Sequence, residues 1–111
     1  LAISDCTITE VSSALAVKLR TGNSSLDQRA ASLSAFNAMT AESFTTLAVA
    51  ARHFRMAAAF VDQQKLGLRA GDALHLAVAA SHGASVHTLD RRLAEAGPAL
   101  GISTWLVPAA P

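Results

Sequence analysis

Residues 71–93 read Gly71-Asp72-Ala73-Leu74-His75-Leu76-Ala77-Val78-Ala79-Ala80-Ser81-His82-Gly83-Ala84-Ser85-Val86-His87-Thr88-Leu89-Asp90-Arg91-Arg92-Leu93. The first half is apolar nearly all round, is opened by an acid and is closed by glycine. A helix of that kind buries most of its sides, and Asp72 is read as its opening residue. The second half holds a short strand, Ser85 to Leu89, followed at once by Asp90 as the cap of a further helix over about Arg91 to Ala96. Gly97-Pro98 then breaks the pattern, and Ile102 to Val107 reads as a last strand ended by Pro108.

Upstream of this block, Leu68 to Gly71 is a connector. Before it, a helix covers about Val49 to Gln64, and Phe44 to Leu47 reads as a short strand on its Phe and Thr residues. Ser25 and Gln28 have the spacing of a reciprocal cap for a helix ending near Met39 or Thr40. Ile8, Val11, Leu15 and Leu19 recur at helical spacing, which predicts a helix from about Cys6 to Thr21 ended by Gly22. Thr7 and Glu10 have capping-box spacing at its start. Leu1 to Ser4 reads as a strand. Strands and helices alternate in this order as in an α/β layer fold with a parallel sheet.

The composition excludes several classes. The chain has 111 residues, 51% of them hydrophobic and 15% charged, which fits one domain with a true core. A net charge of +1 leaves no bulk electrostatic footprint for nucleic acid, so any such ligand is held locally. Four Phe, one Trp and no Tyr give few stacking platforms for bases. A single cysteine, Cys6, excludes an intramolecular disulfide framework and fits a reducing cytoplasm. The run Ala73 to Ala80, interrupted by His75, is far short of the roughly 20 apolar residues of a membrane span.

Three of the eight acids, Glu10, Asp72 and Asp90, are read at helix starts. Singly, an acid there is stabilised by about 0.3–1 kcal/mol by the helix dipole and needs no other role. Jointly they say more. Glu10 and Asp90 each follow a strand, and sites in open parallel sheets lie beyond the strands' carboxyl ends. Like carboxylates at 4 Å repel by roughly 4 kcal/mol at an effective dielectric near 20. A divalent cation relieves that, and an all-carboxylate set favours Mg²⁺ or Mn²⁺. Such ions activate water for phosphoryl chemistry.

Leu68 to Ala77, with its Asp72-Ala73-Leu74-His75-Leu76-Ala77 core, closely resembles a helix start of PIN domains. Ser85 to Leu93 resembles their Thr-x-Asp strand-to-helix turn, and Ile3 to Val11 their segment with the acidic Glu. The subtype is similar to VapC toxins of bacterial toxin–antitoxin pairs. The resemblance implies a PIN-like three-layer fold with a short parallel sheet flanked by helices. It implies a Mg²⁺- or Mn²⁺-dependent endoribonuclease, with Glu10, Asp72 and Asp90 as catalytic and metal-binding acids and Thr88 supporting the last of them. A small antitoxin and a homodimer are the implied partners. The family's first acid, an Asp ending a central N-terminal strand, has no counterpart here, and Asp5 is a poor substitute. A missing upstream strand and crossover helix of roughly 30–40 residues would account for that. On this expectation the single domain lacks its middle strand, and the 111-residue form cleaves weakly or not at all.

Other readings compete. Arg69, Arg91 and Arg92 can hold RNA phosphates, or pair with neighbouring acids. Lys18, Arg20, Arg52 and Arg55 are solvated. His75 can be a ligand or base, or a satisfied core histidine. His53, His82 and His87 suggest zinc, but at no standard spacing. Cys6 is a small buried residue before it is a nucleophile. The alternative class is a non-catalytic module for antitoxin binding or self-association, using the apolar faces of the first two helices. A DNA nuclease of the same chemistry is a third reading, since carboxylates and metal do not distinguish the two nucleic acids.

Overall fold

A computed structural model describes residues 1–108. The elements follow the expected order: β1 (Ala2–Ser4), α1 (Asp5–Arg20), α2 (Leu26–Ser43), β2 (Thr45–Leu47), α3 (Ala51–Asp62), α4 (Ala70–Ser81), β3 (Val86–Thr88), α5 (Arg91–Ala99) and β4 (Thr104–Leu106). A short 3-10 turn, Gln64–Leu66, precedes α4. The fold is mixed α/β, with five α-helices and short parallel sheets among the described residues, as expected of a PIN-like fold. The pairing is spread over two two-stranded ladders, β1 with β2 and β3 with β4. Each parallel pair is joined through helices, because parallel strands need a crossover. The chain divides into two compact units, Leu1–Ala48 and the part from Val49 onward. No helix among the described residues is long and apolar enough to cross a membrane.

In the first unit β1 and β2 pair from Ala2 with Thr45 to Ser4 with Leu47. The strand runs straight into α1, so Ser4 is the N-cap and the Thr7–Glu10 capping box does not form. The Ser4 hydroxyl is buried without a partner and makes no cap. Glu10 therefore stands in the second turn of α1 and not at its start. The Ser25–Gln28 box does form. Gln28 N–H donates to Ser25 Oγ at 3.1 Å, and Ser25 N–H donates to Gln28 Oε1 at 2.8 Å. No residue of α1 or α2 is fully buried.

The second unit holds the core. Leu68, Leu76, Leu93, Ala96 and Ile102 form one cluster, backed by Phe60, Leu66, Val86 and Leu100. Ala57, Ala73 and Ala77 form another, where small side chains let α3 and α4 approach closely. As expected, α4 is buried on most sides, through Ala73, Leu76, Ala77, Val78 and Ala79. It begins at Ala70, two residues before the expected start, which puts Asp72 inside the first turn.

The other correction is at Gly97-Pro98, which α5 passes through to reach Ala99. A proline inside a helix leaves the carbonyl four residues earlier without its donor. Here that carbonyl belongs to Ala94, and Thr104 Oγ1 of β4 donates to it at 2.6 Å. Gly97 makes room for Thr104, whose side chain lies where a Cβ would stand. The tertiary contact replaces the bond that proline removes.

His53 explains the start of α3. It is 1% exposed, and its Nδ1 accepts the N–H of the N-cap residue Ala50 at 2.8 Å. The neutral ring must then carry its proton on Nε2, which is buried without a partner. That tautomer leaves Nε2 no lone pair for a metal, so His53 does not fit the zinc reading. Burial, then the charges of Arg52 and His82, push its pKa down from 6.5. A histidine held neutral in the fold stabilises it above the unfolded pKa, and that contribution is lost as pH falls through the lowered folded value. The melting temperature of the wild type is therefore expected to fall below about pH 6.5. His53→Asn keeps an acceptor for Ala50 and flattens that dependence. An unchanged slope in the variant would assign the pH effect elsewhere.

Candidate functional site

The second unit carries an open cleft of about 840 Å³ between two segments. One segment is the run from the 3-10 turn into α4, with Lys65, Gly67, Arg69 and Asp72. The other is the turn from β3 into α5, with Asp90, Arg91, Arg92 and Glu95. The structure thus brings together Asp72, Asp90, Arg69, Arg91 and Arg92 of the expected site residues. Glu10 lies on α1 in the first unit, exposed, and its Oε1 accepts the Cys6 thiol at 3.3 Å.

Asp90 is placed by its surroundings in three ways. The ladder of β3 with β4, Val86 with Thr104 through Thr88 with Leu106, ends at Thr88. Val107 N–H closes that end by donating to Thr88 O at 2.7 Å. Thr88 Oγ1 then accepts the Asp90 N–H at 3.0 Å. The Asp90 carboxylate caps α5, its Oδ1 accepting from Arg92 N–H at 2.9 Å and from Leu93 N–H at 3.5 Å. Its Oδ2 has no partner among the described residues. Asp72, half-buried, is held by the first turn of α4, where Ala73 N–H donates to Arg69 O at 3.0 Å.

The charge pattern decides what the cleft can hold. Lys65, Arg69, Arg91 and Arg92 line it beside Asp72, Asp90 and Glu95. Among the described residues no ion pair joins those acids to those cations. Arg92 goes instead to a backbone oxygen, with Nη1 donating to Gly67 O at 3.4 Å. Two carboxylates left unneutralised beside unpaired cations suit a hard divalent ion and the phosphates it would serve. The donor set therefore fits Mg²⁺ or Mn²⁺ better than zinc, which prefers nitrogen and sulfur.

Lys65 and Glu95 were not read from the sequence. Glu95 stands four residues after Arg91 on α5, a spacing that places both on one helical face. Lys65 had no such signal. It lies in the 3-10 turn Gln64–Leu66, which Gly67 ends at φ +64°. Cys6 is no nucleophile here. Burial first, then its bond to Glu10, pushes the thiol up to about 11. His82 Nδ1 bonds to Val78 O at 2.9 Å, His87 is exposed on β3, and His75 is half-buried on α4.

No curated protein and no solved structure matches the chain. The family model of the PIN domain matches residues 1–97. PIN domains are in general metal-dependent nucleases. With an acid-and-cation cleft on an α/β scaffold and a match over most of its length, the chain belongs to the PIN domain family.

Proposed function

We propose that the chain is a Mg²⁺- or Mn²⁺-dependent ribonuclease and the toxin of a VapBC-type pair. The observation that carries this reading is the cleft that Asp72 and Asp90 share with four cations, to which, among the described residues, no ion pair joins them. On this reading the two carboxylates hold the metal, and Thr88 fixes the turn that presents Asp90. Arg69, Arg91 and Lys65 meet the phosphates. Glu10 is the third acid that the family pattern assigns to the same chemistry. The ion supplies an activated water and steadies charge on the scissile phosphate. An antitoxin and a second copy of the chain complete the assignment, in a cytoplasmic setting.

The second reading, a non-catalytic binding module, draws support from the first unit, whose helices expose Val17, Leu26 and Met39. Binding of single-stranded RNA with and without Mn²⁺ separates the two. The nuclease reading predicts that Mn²⁺ tightens RNA binding and that Asp72→Asn removes the dependence. A DNA strand of the same sequence, tested in parallel, discriminates the substrate. Tight binding indifferent to Mn²⁺ in both proteins would favour the module.

A further inference from the structure

We propose that Arg92 is a positioning residue that ties the segment bearing Asp72 to the turn bearing Asp90. Its consequence for metal rests on the reading above; its geometry does not. Arg92 is engaged at both ends. Its backbone N–H donates to Asp90 Oδ1 at 2.9 Å. Its Nη1 donates to Gly67 O at 3.4 Å, 25 residues away in sequence. The side chain also lies along the bare face of Gly67. Its Cδ, Nε and Cζ are 3.5, 3.7 and 3.9 Å from the point where a Cβ would stand.

Gly67 ends the 3-10 turn on the opposite wall of the cleft. It sits at φ +64°, where glycine is favoured, and its N–H donates to Gln64 O at 3.1 Å. From there the chain runs through buried Leu68 to Arg69, whose carbonyl receives the first turn of α4 and so places Asp72. Arg92 therefore holds one carboxylate through its backbone and the approach to the other through its guanidinium. Arg69 and Arg91 make no side-chain hydrogen bond among the described residues and remain open to phosphate.

The sign of one measurement separates this role from that of a nearby charge. A cation beside two carboxylates competes with a metal ion, so removing a mere charge leaves Mn²⁺ affinity unchanged or raises it. Removing a tie lowers it, because outer-shell partners that orient ligands are worth about 10–100-fold in metal affinity. The experiment uses Mn²⁺ calorimetry and amide hydrogen exchange on the wild type, Arg92→Met, Arg92→Lys and Arg91→Met. Arg92→Met is expected to lower Mn²⁺ affinity about tenfold and to speed exchange at Leu66 and Gly67. Arg92→Lys, which can still donate to Gly67 O, restores both in part. Arg91→Met weakens neither.

Unchanged exchange in Arg92→Met would overturn the tie. So would a Mn²⁺ affinity equal to or above that of the wild type. If the wild type binds no Mn²⁺, the metal reading fails by itself. Exchange at Leu66 and Gly67 then decides alone whether Arg92 joins the two segments.

Discussion

Asp90→Asn is expected to fold like the wild type and to bind Mn²⁺ about a hundredfold more weakly or not at all. Losing a direct ligand costs at least as much as losing its outer-shell support. The two effects separate because Asp90 does two things. Its Oδ1 caps α5 through Arg92 N–H and Leu93 N–H, and asparagine caps a helix as well as aspartate. Its charge is what a cation requires, and asparagine lacks it. Asp90→Ala loses both, with a stability cost of about 0.5–2 kcal/mol for the missing cap. Thermal melts beside Mn²⁺ titrations of the two variants check this. Mn²⁺ affinity unchanged in Asp90→Asn would mean that the carboxylate serves only the helix.

Gly97→Ala is expected to be the most destabilising single methyl in the chain. A Cβ there would collide with Thr104 Cγ2, and would lie 2.6 Å from Thr104 Oγ1 and 2.9 Å from Ile102 O. Two of the three opposing atoms belong to the Thr104 side chain, which can turn; the third is backbone and cannot. Overpacking of a tight site costs roughly 1–3 kcal/mol. Displacing Thr104 also strips the part-buried Ala94 O of its donor, which costs on the order of 1 kcal/mol more. A fall in melting temperature on the order of 15 °C follows for a domain of this size. Adding Thr104→Ala to the same chain removes the collision with the Thr104 side chain but leaves that with Ile102 O and orphans the Ala94 carbonyl, so it recovers only part of the loss. A melt within a few degrees of the wild type for Gly97→Ala alone would contradict the packing described.

These two positions also mark the limit of what local sequence carries. Element order was legible because apolar spacing and caps are local signals. The Ser25–Gln28 box formed as read, and α4 was buried as its composition required. The end of α5 was not legible. Gly97-Pro98 is a strong breaker by itself, and the hydroxyl that rescues it comes from another strand. Helix starts shifted for a similar reason. At β1 the chain passes into α1 without a turn, so Ser4 takes the capping place and Thr7 and Glu10 move into the helix. Within the second unit Asp72 and Asp90 line one cleft; the family resemblance names both as site residues, together with Glu10. The place of Lys65 and the bond from Arg92 to Gly67 were not legible, because both bring together residues far apart in sequence.

The central claim is that Asp72 and Asp90 hold one divalent ion. Titration of the chain with Mn²⁺ in a calorimeter, beside Asp72→Asn and Asp90→Asn, tests it most directly. Saturable binding in the wild type, lost in each variant with the fold retained, is the result expected. Binding that survives both substitutions, or no binding in the folded wild type, would contradict the claim.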